Sequence, residues 1–161
     1  MRLSARVDYA LRAVVELAAS SAGSAVDDPA AARPRPVTAE RVAHAQAIPP
    51  KFLESILLQL RRGGIVTAQR GPEGGYRLAR PADDISLAEV IRVIDGPLAN
   101  VRGQRPEELG YQGAAVALQD VWIALRASER EILELVTIAD VVAGDLPKRV
   151  QDLAADPRAW S

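Results

Sequence analysis

The sequence predicts a mainly α-helical protein with one small β-hairpin: a winged helix-turn-helix domain plus a long dimerisation helix. Three observations carry that expectation. Two short helical stretches meet at a tight turn near residues 47–49, and the second is apolar on one side and polar on the other. An arginine-bearing hairpin follows at once, in IVTAQR, GPEGG and YRLAR. Further on, Leu118, Val121, Trp122, Leu125, Ile132, Leu135 and Val136 form a stripe over residues 114–136, about six helical turns.

Each element has its own signal. Ser4 caps a helix to about residue 19, with Val7, Ala10, Leu11, Val14, Val15 and Ala18 at helical spacing. Residues 20–36 are small, punctuated by Gly and Pro, and read as a flexible loop. Thr38 caps a short helix to about residue 46, with Val42 and Ala43 on its apolar face. Pro49 and Pro50 open the next helix, where a missing N–H costs nothing, and Gly63 or Gly64 ends it. Phe52, Leu53, Ile56, Leu57 and Leu60 form its apolar side, while Lys51, Glu54, Ser55, Gln59 and Arg62 lie opposite.

The wing gathers Arg70, Arg77 and Arg80, and Asp83 and Asp84 close the module. The spacing in GPEGG matches a hairpin turn rather than a phosphate-binding loop. Ser86 and Glu89 form a capping box opening a helix to Asp95, which Gly96 ends. Residues 97–112 are a second polar loop. Thr137 and Asp140 restart a short helix near Val142, and a polar, frayed tail follows from Asp145. The expected organisation is a DNA-binding domain with linker helix over 1–96, the loop 97–112, a dimerisation helix over 113–143 and a tail over 144–161. A helix as long as that third segment lacks neighbours in so small a chain and is expected to pack on its twin.

Composition narrows the function. The chain has 161 residues, 48% of them apolar, enough for one core, and only 4% aromatic. Arginines outnumber lysines 18 to 2, which fits drift toward a GC-rich genome. No cysteine is present, so disulfides, thiolate nucleophiles and cysteine-held zinc or iron–sulfur groups are excluded. With His44 as the single histidine, a His-based triad or histidine-rich metal site within one subunit is not expected, and His44 reads as a surface or turn residue rather than a pH sensor. There is no nucleophile–base pair or metal-ligand spacing, so no enzyme is expected. No signal peptide or membrane span is evident, and a soluble cytoplasmic protein is expected. The net charge of −1 hides an asymmetry: residues 1–81 carry 12 Lys and Arg against 7 Asp and Glu, and residues 82–161 carry 8 against 14. A basic half suits a polyanion. The polar side of 49–62 suits base edges in a major groove, and an arginine at the hairpin tip suits a narrow minor groove.

MRLSARVDYALRA, IPPKFLESILLQLRRGGIV, RGPEGGYRLARP and ISLAEVIRVIDGPL together resemble the IscR/NsrR-like, or Rrf-two, family of bacterial winged-helix regulators. The resemblance covers residues 1–98 strongly and the long C-terminal helix weakly. It implies a homodimeric transcription factor, by expectation a repressor, on an imperfect palindrome of double-stranded DNA. It places base reading on Lys51, Glu54 and Ser55 and a minor-groove arginine on Arg70. Phosphate contacts fall on Arg2, Ser4, Tyr9, Arg62 and Tyr76, and Gln59 and Arg77 complete the expected DNA-binding set. The expected dimer residues are Leu118, Trp122, Leu125, Ile132 and Leu135.

One departure stands out. Many members hold an iron–sulfur cluster through three cysteines after the D-G-P-L turn, and residues 99–112 have none. Asp8 and Arg12 stand where one branch offers a carboxylate and a histidine, and a guanidinium cannot ligate. The resemblance therefore implies a cluster-free member with no cofactor. Its signal is left to a small ligand or partner protein, with Tyr111, Arg102, Arg105, Glu107 and Glu108 in the replacing loop as the preferred region. Trp122 fits dimer packing better than an effector pocket, and Arg33 and Arg35 fit a solvated loop better than backbone contacts. The alternative is a winged-helix protein-interaction module that has lost DNA binding.

Overall fold

The computed structural model describes residues 3–27, as backbone alone for 22–27, and residues 35–160. Among the described residues, seven helices and one hairpin follow in the order α1 (Ala5–Asp27), α2 (Ala39–Gln46), α3 (Pro50–Arg62), β1 (Val66–Gln69), β2 (Gly75–Leu78), α4 (Leu87–Asp95), α5 (Leu118–Leu133), α6 (Ile138–Ala143) and α7 (Lys148–Ala155). Short 3-10 turns lie at Ala82–Asp84, Pro106–Glu108, Gly113–Ala115 and Pro157–Trp160.

One core joins the first four helices and α6. Val7, Ala10, Val14 and Leu17 of α1, spaced by three and four, are completely buried. Leu11 and Val15 sit at the margin of that face. Val42 of α2, Leu53, Ile56, Leu57 and Leu60 of α3, and Ala88 and Val90 of α4 close around α1. The caps form as the sequence predicts. Thr38 Oγ1 accepts from the Arg41 N–H, and Ser86 and Glu89 exchange both bonds of a capping box. Between α2 and α3, Ala47 takes a left-handed conformation, and the Ile48 N–H closes on the Ala43 carbonyl at 2.9 Å.

The hairpin pairs antiparallel, with Val66 opposite Leu78 and Gln69 opposite Gly75. It gains a third partner. The Val37 N–H donates to the Tyr76 carbonyl at 2.8 Å, and the Tyr76 N–H donates to the Val37 carbonyl at 2.7 Å. The glycine pair of the turn is required by space. A Cβ on Gly74 would strike the Gln69 carbonyl, and one on Gly75 would lie 2.5 Å from the Val37 carbonyl, at a φ of 149°.

Three expectations about elements are corrected. First, α1 runs to Asp27 instead of ending near residue 19, because nothing in SSAGSAVD stops a helix and the Ser21 hydroxyl donates back to the Leu17 carbonyl. Second, the 114–136 stripe is not one helix. It begins with a 3-10 turn, α5 covers 16 residues, and Val136 passes into an extended bridge instead. There the Leu87 N–H donates to the Val136 carbonyl at 3.0 Å and the Ile138 N–H to the Ile85 carbonyl at 2.9 Å. α6 thus returns to the core around α1, and Ile138 is wholly buried there. Third, the tail is folded: α7 starts after Pro147, carries a Lys148–Asp152 pair at 2.7 Å, and is tied to α5 by Arg149 and Glu131 at 3.2 Å.

Gly75→Ala should unseat the wing from Val37 and cost about 1–3 kcal/mol in strain and lost pairing. Chemical denaturation would measure the cost, and amide exchange at Tyr76 should speed up before global unfolding does.

Candidate nucleic-acid interface

Burial of its apolar side turns the other side of α3 outward. Lys51, Glu54, Ser55, Leu58, Arg61 and Arg62 are all exposed along it. Lys51, Glu54, Arg61 and Arg62 form no ion pair or side-chain hydrogen bond among the described residues, while Ser55 Oγ donates to the Phe52 carbonyl at 2.9 Å. Arg70 is exposed in the tip of the wing and is likewise unpaired among the described residues. Two cation-bearing elements, the helix and the hairpin tip, therefore keep exposed side chains uncommitted among the described residues.

The start of α1 is braced against this helix. Tyr9 lies 6.4 Å from the Phe52 ring in a tilted pair, and the Arg12 guanidinium stacks 5.0 Å from the Tyr9 centroid. Arg12 also donates to the Gln46 carbonyl at 2.8 Å and pairs with Asp8 at 3.1 Å. Ser4 caps α1, its hydroxyl accepting from the Val7 N–H. Arg2 lies outside the described residues, as does Arg33, and Arg35 is exposed.

The expected residues divide. Ser4, Tyr9, Lys51, Glu54, Ser55, Arg62 and Arg70 share the α1–α3–wing region with all or part of each side chain accessible. Tyr76 is half-buried where the wing meets Val37, and Arg77 donates from β2 to Gln69 Oε1 at 3.1 Å. Arg80 leaves the wing altogether: it donates to the Asp84 carbonyl and pairs with Glu89 at 2.8 Å. Burial opposes ionisation of Glu89, yet the Ser86 N–H and Arg80 outweigh it and hold that carboxyl below its ordinary value. Gln59 is engaged within the chain. Its side-chain amide donates to the Val93 and Ile94 carbonyls at 2.9 and 3.1 Å, and its oxygen accepts from Arg6 at 2.9 Å. Placing it on the polar face by periodicity missed that the last turn of α4, with carbonyls unused within the helix, lies alongside.

Away from this surface, α5 leaves Leu118, Val121 and Leu125 between 41% and 53% exposed, with Leu135 at 45%. Ile132 is half-buried. Trp122 is half-buried against its own chain, its indole N–H donating to the Tyr111 hydroxyl at 3.0 Å. Glu129 is the one buried charged residue among those described, and neither of its oxygens meets a donor there.

Comparison with known proteins agrees with this geometry. A family model described as Rrf2, iron-dependent transcriptional regulator, matches residues 3–144. A protein of Mycobacterium tuberculosis named as an HTH-type transcriptional regulator is 50% identical over 159 residues, covering 99% of this chain and 92% of its own. An rrf2-like HTH-type regulator of Rhodobacter capsulatus is 31% identical, covering 90% and 95%. Among solved structures, CymR, the global cysteine regulator of B. subtilis, superposes with a TM-score of 0.70 at 26% identity, over 89% of this chain and 97% of that one. IscR of T. potens gives 0.68 at 26% identity, over 89% and 88%.

Gln59→Ala should destabilise the fold by about 1–3 kcal/mol, because it strips partners from two carbonyls and from Arg6. Urea unfolding checks this. An unchanged midpoint together with altered DNA sequence preference would return Gln59 to base reading.

Proposed function

The chain belongs to the Rrf2 family of transcriptional regulators, and from that premise we propose that it is a homodimeric, sequence-specific repressor reading an imperfect palindrome without an iron–sulfur cluster. One observation carries the reading: α3 and the wing tip expose Lys51, Arg61, Arg62 and Arg70, none of them paired among the described residues, with Glu54 and Ser55 exposed along α3. In this arrangement α3 enters the major groove, where Lys51 donates to guanine and Glu54 accepts from a cytosine amino group. Arg70 enters the adjacent minor groove, where narrow A·T-rich stretches concentrate negative potential. Ser4, Tyr9, Arg62, Tyr76 and Arg77 take the backbone contacts, with Arg2 joining them. Glu54 repels phosphate, so its value on this face lies in discrimination. The same uncommitted cations weigh against a module that has lost DNA binding, which has no use for them.

A second copy covers the exposed stripe of α5. Leu118, Val121 and Leu125 recur on one side of that helix, and an isologous two-fold contact buries the same patch twice. It also brings polar groups of the partner toward Glu129, whose burial without a donor is costly for a lone chain. Two half-sites are then engaged together, which a palindrome requires.

The residues do not fit a thiolate-held cluster. The sequence has no cysteine, and the described residues hold no group of three or more His, Cys, Asp or Glu placed to bind a metal ion. Where one branch of the family offers ligands, Asp8 is paired with Arg12 instead. No described helix is long and apolar enough to cross a membrane.

Leu125→Asp should weaken the dimer by roughly a hundredfold, because the new carboxylate is buried unpaired. Sedimentation checks the assembly, and operator affinity should fall with it. A variant still dimeric at micromolar concentration would move the interface elsewhere. Arg70→Ala should weaken operator binding in a gel shift on DNA from the protein's own promoter and lower the salt slope by about one. Glu54→Ala should cost less on the best site yet admit sequences that the unmodified protein rejects by about 1–3 kcal/mol per position. Selection from random DNA decides this: the same consensus at the same stringency would remove Glu54 from base readout.

A further inference from the structure

A cavity of about 250 Å³ opens where the end of α4, the following loop and α5 meet. Its walls are Arg92, Gly96, Pro97, Leu98, Arg105 and Arg126. Every charged residue on those walls is an arginine. Arg126 pairs through Nη1 with Glu107, but its Nε is buried with no acceptor among the described residues. The Arg105 guanidinium makes no hydrogen bond among them either. Arg92 pairs with Glu134, which also accepts from Arg130 at 3.0 Å. Hydrogen bonds from Arg92 and then Arg130 hold the Glu134 carboxyl below its ordinary value, and Arg126 does the same for Glu107.

We propose that this cavity binds a small organic oxyanion, a carboxylate or phosphate ester, between the guanidinium groups of Arg92, Arg105 and Arg126, and that occupancy regulates DNA binding. A guanidinium fork matches either oxyanion with paired charge-assisted hydrogen bonds. A buried Nε without an acceptor is the costly half of such a bond, and the ligand supplies the other half. The volume lies just under the roughly 300–1,000 Å³ of drug-sized sites, so the occupant is a small metabolite. Pro97 and Leu98 give it an apolar contact beside the charged one.

The regulatory part rests on the function proposed above and has a physical route. The cavity borders the last turn of α4, and in that turn the Val93 and Ile94 carbonyls accept from Gln59 of α3. An oxyanion on Arg92 and Arg126 competes with Glu134 and Glu107 for the same guanidinium groups, so it loosens α4 and the 97–112 loop from α5 and its neighbouring turn. A ligand favouring one arrangement shifts the population toward it, and DNA affinity changes by the same coupling factor.

The test titrates the full-length protein with succinate, 3-phosphoglycerate and inorganic phosphate, against chloride at matched ionic strength. Amide NMR reports binding at Gly96, Leu98 and Arg126. At least one probe should saturate at millimolar concentration or below, and Arg105→Gln, at a side chain that no hydrogen bond holds, should weaken it about tenfold. Saturation by succinate alone assigns a carboxylate ligand, and by 3-phosphoglycerate alone a ligand that carries a phosphate ester and a carboxylate together. No saturation with any probe, or shifts that survive Arg105→Gln and track ionic strength, would overturn the site. Operator affinity measured with and without the saturating probe tests the coupling separately: equal affinities overturn the regulatory role and leave the binding site standing. Failure to bind DNA in either condition would instead count against the proposed function.

Discussion

The burial of four side chains, Leu53, Ile56, Leu57 and Leu60, holds the rest of the arrangement in place. They repeat at three and four, so they commit one side of α3 to the core and leave the other side outside. Rotating this helix by a single residue would bury charge and expose leucine, which no neighbouring contact repairs. The direction in which Lys51, Glu54 and Ser55 face therefore follows from packing underneath them, not from anything on the surface itself. α1 does the corresponding work from below, with Val7, Ala10, Val14 and Leu17 against the same core and Tyr9 braced on Phe52.

The wing depends on a different kind of constraint. Its two strands are only four residues each, and a two-stranded hairpin of that length is marginal alone. Val37 adds a bridge to Tyr76 on the outer side, and Gly75 gives the backbone the room that this approach needs. The Arg70 tip is thereby carried on a small sheet anchored to the segment just before α2. The same chemistry that fixes the wing consumes some of its charges, since Arg80 is spent on Glu89 and Asp84, and Arg77 reaches Gln69.

The C-terminal third divides between inside and outside. α6 returns to the core through Ile138 and the backbone exchange between residues 85–87 and 136–138. α5, hung between that return and the loop, keeps its apolar stripe exposed and its arginines in pairs with Glu107 and Glu134. One end of α5 is therefore tied to α4 by the Arg92–Glu134 pair, and its apolar face stays exposed.

Local signals were legible to the extent that they were local. The caps at Thr38 and Ser86, the proline start of α3, the glycine turn of the hairpin and the apolar period of α3 each act within a few residues, and each formed as read, save that Phe52 of the expected apolar side stands 53% exposed. The absence of cysteine was likewise a property of the sequence alone. Contacts between distant segments were not legible. Periodicity put Gln59 with the polar face, but the carbonyls of Val93 and Ile94 claimed its amide. The apolar stripe looked continuous through Val136, yet Val136 leaves the helix for an extended stretch, and Ile138 beyond it is buried in the core around α1. Arg92, Arg105 and Arg126 stand far apart in the chain, and only folding brings them to one cavity. Hydrophobic period and capping chemistry are written in neighbouring residues, so the sequence by itself determined the elements from α2 to α4 and the side of α3 that faces outward. Which polar group meets which carbonyl or carboxylate depends on where the chain returns, and that only the tertiary structure decided.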